Sequence, residues 1–391
     1  MRVVMVAHSF PRSEGDIAGV WIGHLAQALA ARGHAVMAIA PADRGERGAP
    51  TLGRVAVRRV RYASAARETL AYHGAMHRQT ATNPLAAVTF VGLVRALAAA
   101  VSEECRAAPV DVVHAHWWVP GGVAAALASR RGRPFIVTLH GTDVALSRKL
   151  PGGRWLMGAV LRRAAAVTAV STALAEAAAL ATGRPAAEIP VTPMPLAPAT
   201  AEPRRGERSG AVFVGRLTRQ KRVGDLLEAL AFLARSGRRL ELTIVGDGPE
   251  RAALERRAAA TDLAGTVTFV GAVPPEAVAG HLELKRLLVL PSVDEGLGLV
   301  VAEALVAGVP VVATRSGGIP DLMTDPEAGA LVPPCDSAAL AEAMGRVAGD
   351  GRYLEGAARA GRALLERLSP EAVAAGFEAI YGGVLSRRSR A

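Results

Sequence analysis

"RLLVLPSVDEGLGLVVAEALVAGVPVVA", residues 286–313, decides the architecture. A short apolar run (286–290) enters a turn, "PSVDEGLG", then a helical stretch (299–307) and a second apolar run (309–313). That is one strand–helix–strand step of a parallel sheet. Two acids, Glu295 and Glu303, stand in this otherwise apolar segment. A carboxylate in a buried setting needs a partner. The turn after a parallel strand is also where open α/β sheets bind ligands.

The same alternation extends over most of the chain. Towards the N-terminus, strands are expected at 2–7, 35–40, 55–60, 111–114, 135–139 and 166–170. Helices are expected at 18–32, 84–106, 120–130, 154–163 and 172–181. Residues 183–209 break the pattern with Pro, Gly and charge, as a linker does. A second series opens at "AVFVGRL" (211–217). Strands follow near 240–245, 266–270, 286–290, 309–313 and 330–332, with helices at 222–236, 249–260, 275–283, 299–307, 317–323 and 336–348. The expectation is two doubly wound α/β domains, 1–190 and 210–370, joined by a Pro-rich linker at 191–209. A C-terminal helix at 371–391 is expected to pack back on the first domain. Two such domains leave a cleft lined by strand-end turns.

Composition narrows the function classes. Of 391 residues, 51% are hydrophobic, enough for sizeable cores, and only 4% are aromatic, so those cores are mostly Ala, Val and Leu. Cys105 and Cys335 are too few for a disulfide framework or a zinc site, and no metal-ligand motif occurs. No metal and no cofactor are expected. "MRVVMVAHSF" reads as a buried strand rather than a secretion signal, and the Ala-rich pieces near 85–101 and 159–181 are broken by polar residues. The expected location is cytoplasmic.

Charge is uneven. Residues 1–205 carry 24 Lys and Arg against 12 Asp and Glu, whereas the rest carries 22 against 23. Clusters fall at 54–67, 129–133 and 147–154. Such a face attracts anionic lipid or an anionic substrate. It equally fits a solvated surface. Nucleic acid is disfavoured, because no aromatic residues interleave with the basic runs to stack bases.

The chemistry-bearing residues collect after strands. "DVVHAHWWVPGG" places His114, His116 and Trp117 at one strand end, and "FIVTLHGTDV" places His140 and Asp143 at another. Gly19 lies where the first turn meets a helix. "VFVGRLTRQKR" sets Arg216 and Lys221 after a strand, a fork and a point charge suited to a diphosphate. "LTIVGDGPER" has Gly246 in a tight turn, but Arg251 stands where a dinucleotide fingerprint needs glycine. Gly271 follows the next strand. In the opening stretch, Gly296 and Gly298 leave backbone amides open beside Glu295, and carboxylates accept hydrogen bonds from sugar hydroxyls.

In combination, "EGLGLVVAE" running into "ALVAGVPVVATRSGGIPD", "GRLTRQK" upstream and "LHGTD" in the first half resemble the retaining GT-B glycosyltransferases of family four (group 1), over nearly the whole chain. The resemblance implies a GT-B fold and transfer of a hexose-type sugar from a nucleotide diphosphate sugar, UDP being the commonest, to an acceptor hydroxyl. It implies retention by same-face attack and no bound metal. By that resemblance Glu303 binds the ribose, Glu295 the donor sugar, and Arg216 and Lys221 the diphosphate. His140 lies against the transferred sugar. Gly19, Gly246 and Gly271 approach the donor, and Gly296, Gly298, Leu299 and Val300 complete its site. Acceptor contacts are expected from His114, His116, Trp117 and Asp143, and more broadly from 8–19, 72–78 and 114–120.

Several motif positions depart from the family pattern. The first turn reads "EGDIAG", the linker end "VTPMPLAP", and Asp321 stands where Glu is common. The acceptor is left open between a secondary metabolite, such as an aminoglycoside precursor, and a lipid-linked or cell-surface glycan, with peripheral membrane contact through the basic half. A pyridoxal-dependent phosphorylase needs a buried lysine, and residues 206–391 contain only Lys221 and Lys285. A non-catalytic carbohydrate- or nucleotide-binding scaffold should have lost one of Arg216, Lys221, Glu295 or Glu303, and all four are present.

Overall fold

In the computed structural model the described residues are 1–72, 76–129, 133–196, 206–260 and 262–389. The chain divides into two compact units, Met1–Ala197 with Pro370–Ala391, and Pro198–Ser369. Residues 197–205 of the expected linker lie outside the described residues, as do 73–75 and 390–391.

The first unit is built on a sheet of seven strands: β1 (Arg2–Val6), β2 (Ala35–Pro41), β3 (Thr51–Leu52), β4 (Val55–Val60), β5 (Val112–His116), β6 (Phe135–Leu139) and β7 (Ala166–Ala169). Their order is β3-β4-β2-β1-β5-β6-β7. All pairings are parallel except β3 with β4. Every residue of β5 and β6 is buried, as expected of central strands covered on both faces.

The expected helices appear at Val20–Ala31, Pro84–Ala107, Gly153–Arg163 and Thr172–Thr182. A helix at Thr142–Lys149 was not anticipated. The stretch expected to be helical over 120–130 starts as a π-type turn, Trp117–Gly122, that leads into a helix at Val123–Ala128. The C-terminal helix, Pro370–Arg388, belongs to this unit; its Phe377 and Tyr381 are fully buried.

Pro84–Ala107 is long and apolar enough to cross a membrane, with mean hydropathy 2.0. In this fold it covers the sheet, burying Leu93, Leu97 and Val101, while Leu85, Val88 and Val91 stay exposed.

The second unit has six strands, all parallel: β8 (Ala211–Val214), β9 (Leu242–Val245), β10 (Val267–Gly271), β11 (Leu287–Leu290), β12 (Val311–Thr314) and β13 (Gly329–Val332). Their order is β10-β9-β8-β11-β12-β13. The topological switch falls between β8 and β11, and a crevice forms beyond the carboxyl ends at such a point. Helices at Val223–Arg235, Arg251–Ala258, Pro275–Leu282, Leu299–Val306 and Ser337–Gly349 match the sequence reading closely, and the expected helix at 317–323 shortens to Ile319–Leu322. The helix Arg352–Arg367 was not foreseen.

Candidate active site

In the second unit, the loops after β8, β11 and β12 are tied into one surface. Gln220 connects the first two: its carbonyl accepts from Val293 N at 2.9 Å, and its side-chain amide donates to Asp294 O at 2.9 Å. Asp294 N donates to Ser316 Oγ at 2.9 Å, and Gly318 N to Glu295 O at 3.0 Å. The fit is tight at Gly317, where a side-chain carbon would lie 1.8 Å from Glu295 O and φ is +57°. Only glycine suits both conditions. The main chain of Glu295 is thereby fixed, and its side chain meets Lys221, Nζ to Oε2 at 2.7 Å. Both side chains are mostly buried, at 17% and 14% exposure. An ammonium has three donors, so this bond leaves Lys221 capacity for an anion. Arg216 follows β8 and is exposed.

Gly298, at φ +84°, caps the helix Leu299–Val306, with Leu299 and Val300 half-buried in its first turn. The N–H groups of such a first turn lack intrahelical partners and favour an anion. Gly296 is half-buried just before it. Glu303 lies further along this helix. It is half-buried, desolvation raises its carboxyl above the ordinary 4.5, and no protein group among the described residues hydrogen-bonds its side chain. Lys221 forms its ion pair with Glu295 and none with Glu303.

Gly246 and Gly271 answer to the backbone. A side-chain carbon at 246 would meet Gly215 O at 2.0 Å, and Gly246 N donates to Gly271 O at 2.7 Å. Backbone packing against Gly215 accounts for Gly246, and a φ of +90° for Gly271.

The first unit gathers its imidazoles differently. His116, at the end of β5, and His140, just past β6, meet Nδ1 to Nε2 at 3.0 Å. Trp117 lies between His8 and His140, with ring centroids 4.1 and 4.5 Å away. Its backbone φ of +63° is unusual for a bulky residue, a strain that clusters at functional sites. His8 Nδ1, His116 Nε2 and Trp117 Nε1 are buried without partners among the described residues, which marks an unsatisfied polar spot. Burial lowers His8 to about 4 and His140 to about 3, and holds His116 well below its usual value, so these rings are neutral. Gly19 begins the helix Val20–Ala31 at φ +67°, and a side-chain carbon there would lie 2.4 Å from Ser9 O.

Two residues expected at the acceptor are turned inward. His114 is fully buried; Nδ1 meets Tyr381 OH at 2.7 Å and Nε2 meets Thr138 Oγ1 at 2.7 Å. It moors the C-terminal helix. Asp143 is 3% exposed and accepts from Trp118 N, Gly141 N and His140 N at 3.0, 3.0 and 3.2 Å. Burial pushes its carboxyl up and these donors pull it down; burial prevails. Its oxygens serve the backbone that shapes the loops after β5 and β6. Tyr381 and Thr138 were missed, because no local pattern announces a partner 267 residues away.

The basic cluster at 54–67 is also largely used internally. Arg58 pairs with Glu103 and Glu104, Arg61 with Glu68, and the buried Arg59 donates to Phe10 O, Pro11 O and Tyr72 OH. Of the expected acceptor stretch 72–78, residues 73–75 and the side chains of 77 and 78 lie outside the described residues.

Comparison with known proteins agrees with this geometry. Residues 18–195 match the family described as Glycosyl transferase 4-like domain, and residues 200–363 the family Glycosyl transferases group 1. A 2-deoxystreptamine glucosyltransferase of Streptomyces kanamyceticus is 32% identical over 308 residues, covering 70% of this chain and 78% of that protein. The chain belongs to the group 1 glycosyltransferases. Sucrose-phosphate synthase from Thermosynechococcus elongatus matches the fold with a TM-score of 0.78 at 22% identity, covering 99% of this chain and 100% of that one. Anabaena HepE, solved in complex with UDP-glucose, matches with a TM-score of 0.69 at 19% identity, covering 98% and 100%. The fold of this glycosyltransferase is therefore GT-B, two Rossmann-like units, and its activity is glycosyl transfer.

Proposed function

We propose that this glycosyltransferase moves a hexose-type sugar from a UDP-sugar to an acceptor hydroxyl with retention of configuration and without a bound metal. The observation that carries the donor reading is Glu303, a half-buried carboxylate with raised proton affinity and no protein partner among the described residues, on the helix that starts at the Glu295 loop. A vicinal diol of ribose supplies the donors that such a carboxylate lacks. In the loop after β8, Lys221 and Arg216 offer the cations for a diphosphate, and Glu295, held by Lys221, offers the acceptor for a sugar hydroxyl. HepE, solved with UDP-glucose, supports uridine as the base.

In the proposed reaction the bond from the sugar's anomeric carbon to the diphosphate oxygen breaks as the acceptor oxygen bonds on the same face. The acceptor's proton passes to the departing phosphate. Lys221 and Arg216 stabilise the charge that grows on that leaving group. His140, neutral at physiological pH, is assigned to the transferred sugar. His8, His116 and Trp117 offer unsatisfied polar atoms for the same chemistry.

The proposed acceptor is an aminocyclitol, by likeness to the 2-deoxystreptamine glucosyltransferase. A lipid-linked acceptor is the second reading; exposed Leu85, Val88 and Val91 on one helix favour it. Incubation with UDP-glucose and 2-deoxystreptamine in EDTA, with the anomeric configuration of the product read by NMR, tests all four parts. An α-linked product formed in EDTA supports the proposal. Metal dependence or a β-linked product removes the corresponding part.

A further inference from the structure

Two neighbouring cavities open at the amino-terminal edge of the first unit's sheet. One, of about 430 Å³, is lined by Ser129, Arg133, Phe135, Arg163, Arg387 and Arg388. The other, of about 560 Å³, is lined by Cys105, Arg106, Asp111 and the same Arg133 and Arg388. Phe135 is the first residue of β6, whereas His140 lies just past its last. A strand of this length spans roughly 15 Å, so the cavities are at the opposite edge of the sheet from the imidazole cluster. Nor do they include any residue of the unit that carries Lys221 and Glu295.

The charge there is one-sided. Five arginines (106, 133, 163, 387 and 388) line the pair of cavities against one acid, Asp111. Asp111 already accepts from Arg2 N at 2.7 Å. Among the described residues none of the five arginines forms an ion pair. This contrasts with Arg12, Arg58 and Arg61 of the same unit, each held by a carboxylate. Arg163 donates to Ala126 O at 2.9 Å, and Arg133 lies by the Cys105 thiol. Among the described residues Ser129 Oγ has no partner, although it is buried. Guanidinium groups around a concave surface, with no carboxylate partner among the described residues, match the oxygens of a phosphate, which Arg binds in a two-pronged fashion.

We propose that this double cavity is a second anion site, separate from the donor site, for a phosphate-bearing ligand. The ligand is either a soluble phosphate ester or the headgroup of an anionic lipid. The proposal does not depend on the identity of the sugar donor.

The test uses the full chain carrying Arg216→Ala and Lys221→Ala, which takes away both cations assigned to the diphosphate in the second unit. Inorganic pyrophosphate is titrated calorimetrically at constant ionic strength. Sedimentation with phosphatidylglycerol–phosphatidylcholine vesicles forms the second arm. Arg387→Ser with Arg388→Ser, on the exposed end of the last helix, is then added, with circular dichroism to check the fold. Arg163→Ser is an independent variant should the helix end fray. Saturable pyrophosphate binding that weakens about tenfold or more in these variants establishes the site for a soluble ligand; a lost charge-assisted hydrogen bond carries that much. Vesicle binding lost in the same variants, without pyrophosphate binding, assigns it to lipid. Binding to neither probe, or binding that the substitutions leave unchanged, overturns the proposal.

Discussion

The two units solve the same problem in opposite ways. Each is a largely parallel sheet that carries acids and bases in or just after its strands. In the first unit Asp143 and His114 are consumed by the protein, one by backbone N–H groups and the other by Tyr381 and Thr138. In the second, Glu303 has no protein partner among the described residues, and Glu295 holds only a lysine at a partly open surface. An acid at a strand end therefore has two distinct uses. It can fix a loop, in which case its removal unfolds the site, or it can await a ligand, in which case its removal spares the fold.

The largest effect should come from breaking the first use. Asp143→Ala leaves N–H groups of Trp118, His140 and Gly141 without their acceptor. At about 1–3 kcal/mol for each unsatisfied buried group, the chain should lose much of its stability, read as a urea midpoint. A midpoint within error of wild type would show that the loops hold themselves.

Lys221→Ala tests the second use. Loss of an electrostatic group at a developing charge costs about 100- to 1000-fold in kcat, and stability should fall as well, because the mostly buried Glu295 is left without its cation. His140→Ala should abolish transfer yet leave nucleotide binding within about twofold. A parallel loss of both would place the ring with the nucleotide instead.

Tyr381→Phe is a smaller probe. It removes the hydroxyl partner of His114 Nδ1 and should cost about 1–2 kcal/mol, again visible in the urea midpoint and without effect on nucleotide affinity.

Acid sharpens the contrast. The folded chain keeps His114 and His140 neutral down to about 3, and His8 down to about 4, against 6.5 in an open chain. The unfolded chain then binds more protons, so stability is complete above about pH 6.5 and declines as pH falls towards 3. Glu303 has the reverse sign: its raised folded value favours the protonated, unliganded state. A diol donating to the carboxylate needs the charged form, so nucleotide binding should release a proton and strengthen as pH rises from 4.5 through the raised value. Calorimetry in buffers of different ionisation enthalpy reads that proton directly.

Much of this was legible in the sequence. The strands of both units lie within about two residues of the apolar runs, because strands buried on both faces read as continuous hydrophobic stretches. The helix Arg352–Arg367 escaped for a physical reason. Its buried face is mostly Gly356, Ala357, Ala360 and Gly361, with Leu364. A side-chain carbon at Gly361 would lie 2.0 Å from Leu305 O, so the backbones pack closely; the helix is amphipathic, but its buried stripe is made of small residues rather than the large apolar ones that draw the eye. The short β3 and the helix Thr142–Lys149 gave no periodic signal of their own. The sequence also placed Lys221 and Glu295 in strand-end turns, and the structure joins them. It could not separate Asp143 from Glu295, since the difference rests on which backbone N–H groups fold back upon each.

The central claim is that Glu303 is held for a nucleotide. Thermal stabilisation of wild type and Glu303→Ala by UDP, with GDP, ADP and TDP alongside, tests it most directly. Wild type should show a clear upward shift with UDP, Glu303→Ala a reduced shift or none, and the unliganded mutant should melt at or above wild type, since a desolvated carboxylate has been removed. An equal shift in both proteins, or a mutant that melts well below wild type without ligand, would contradict it.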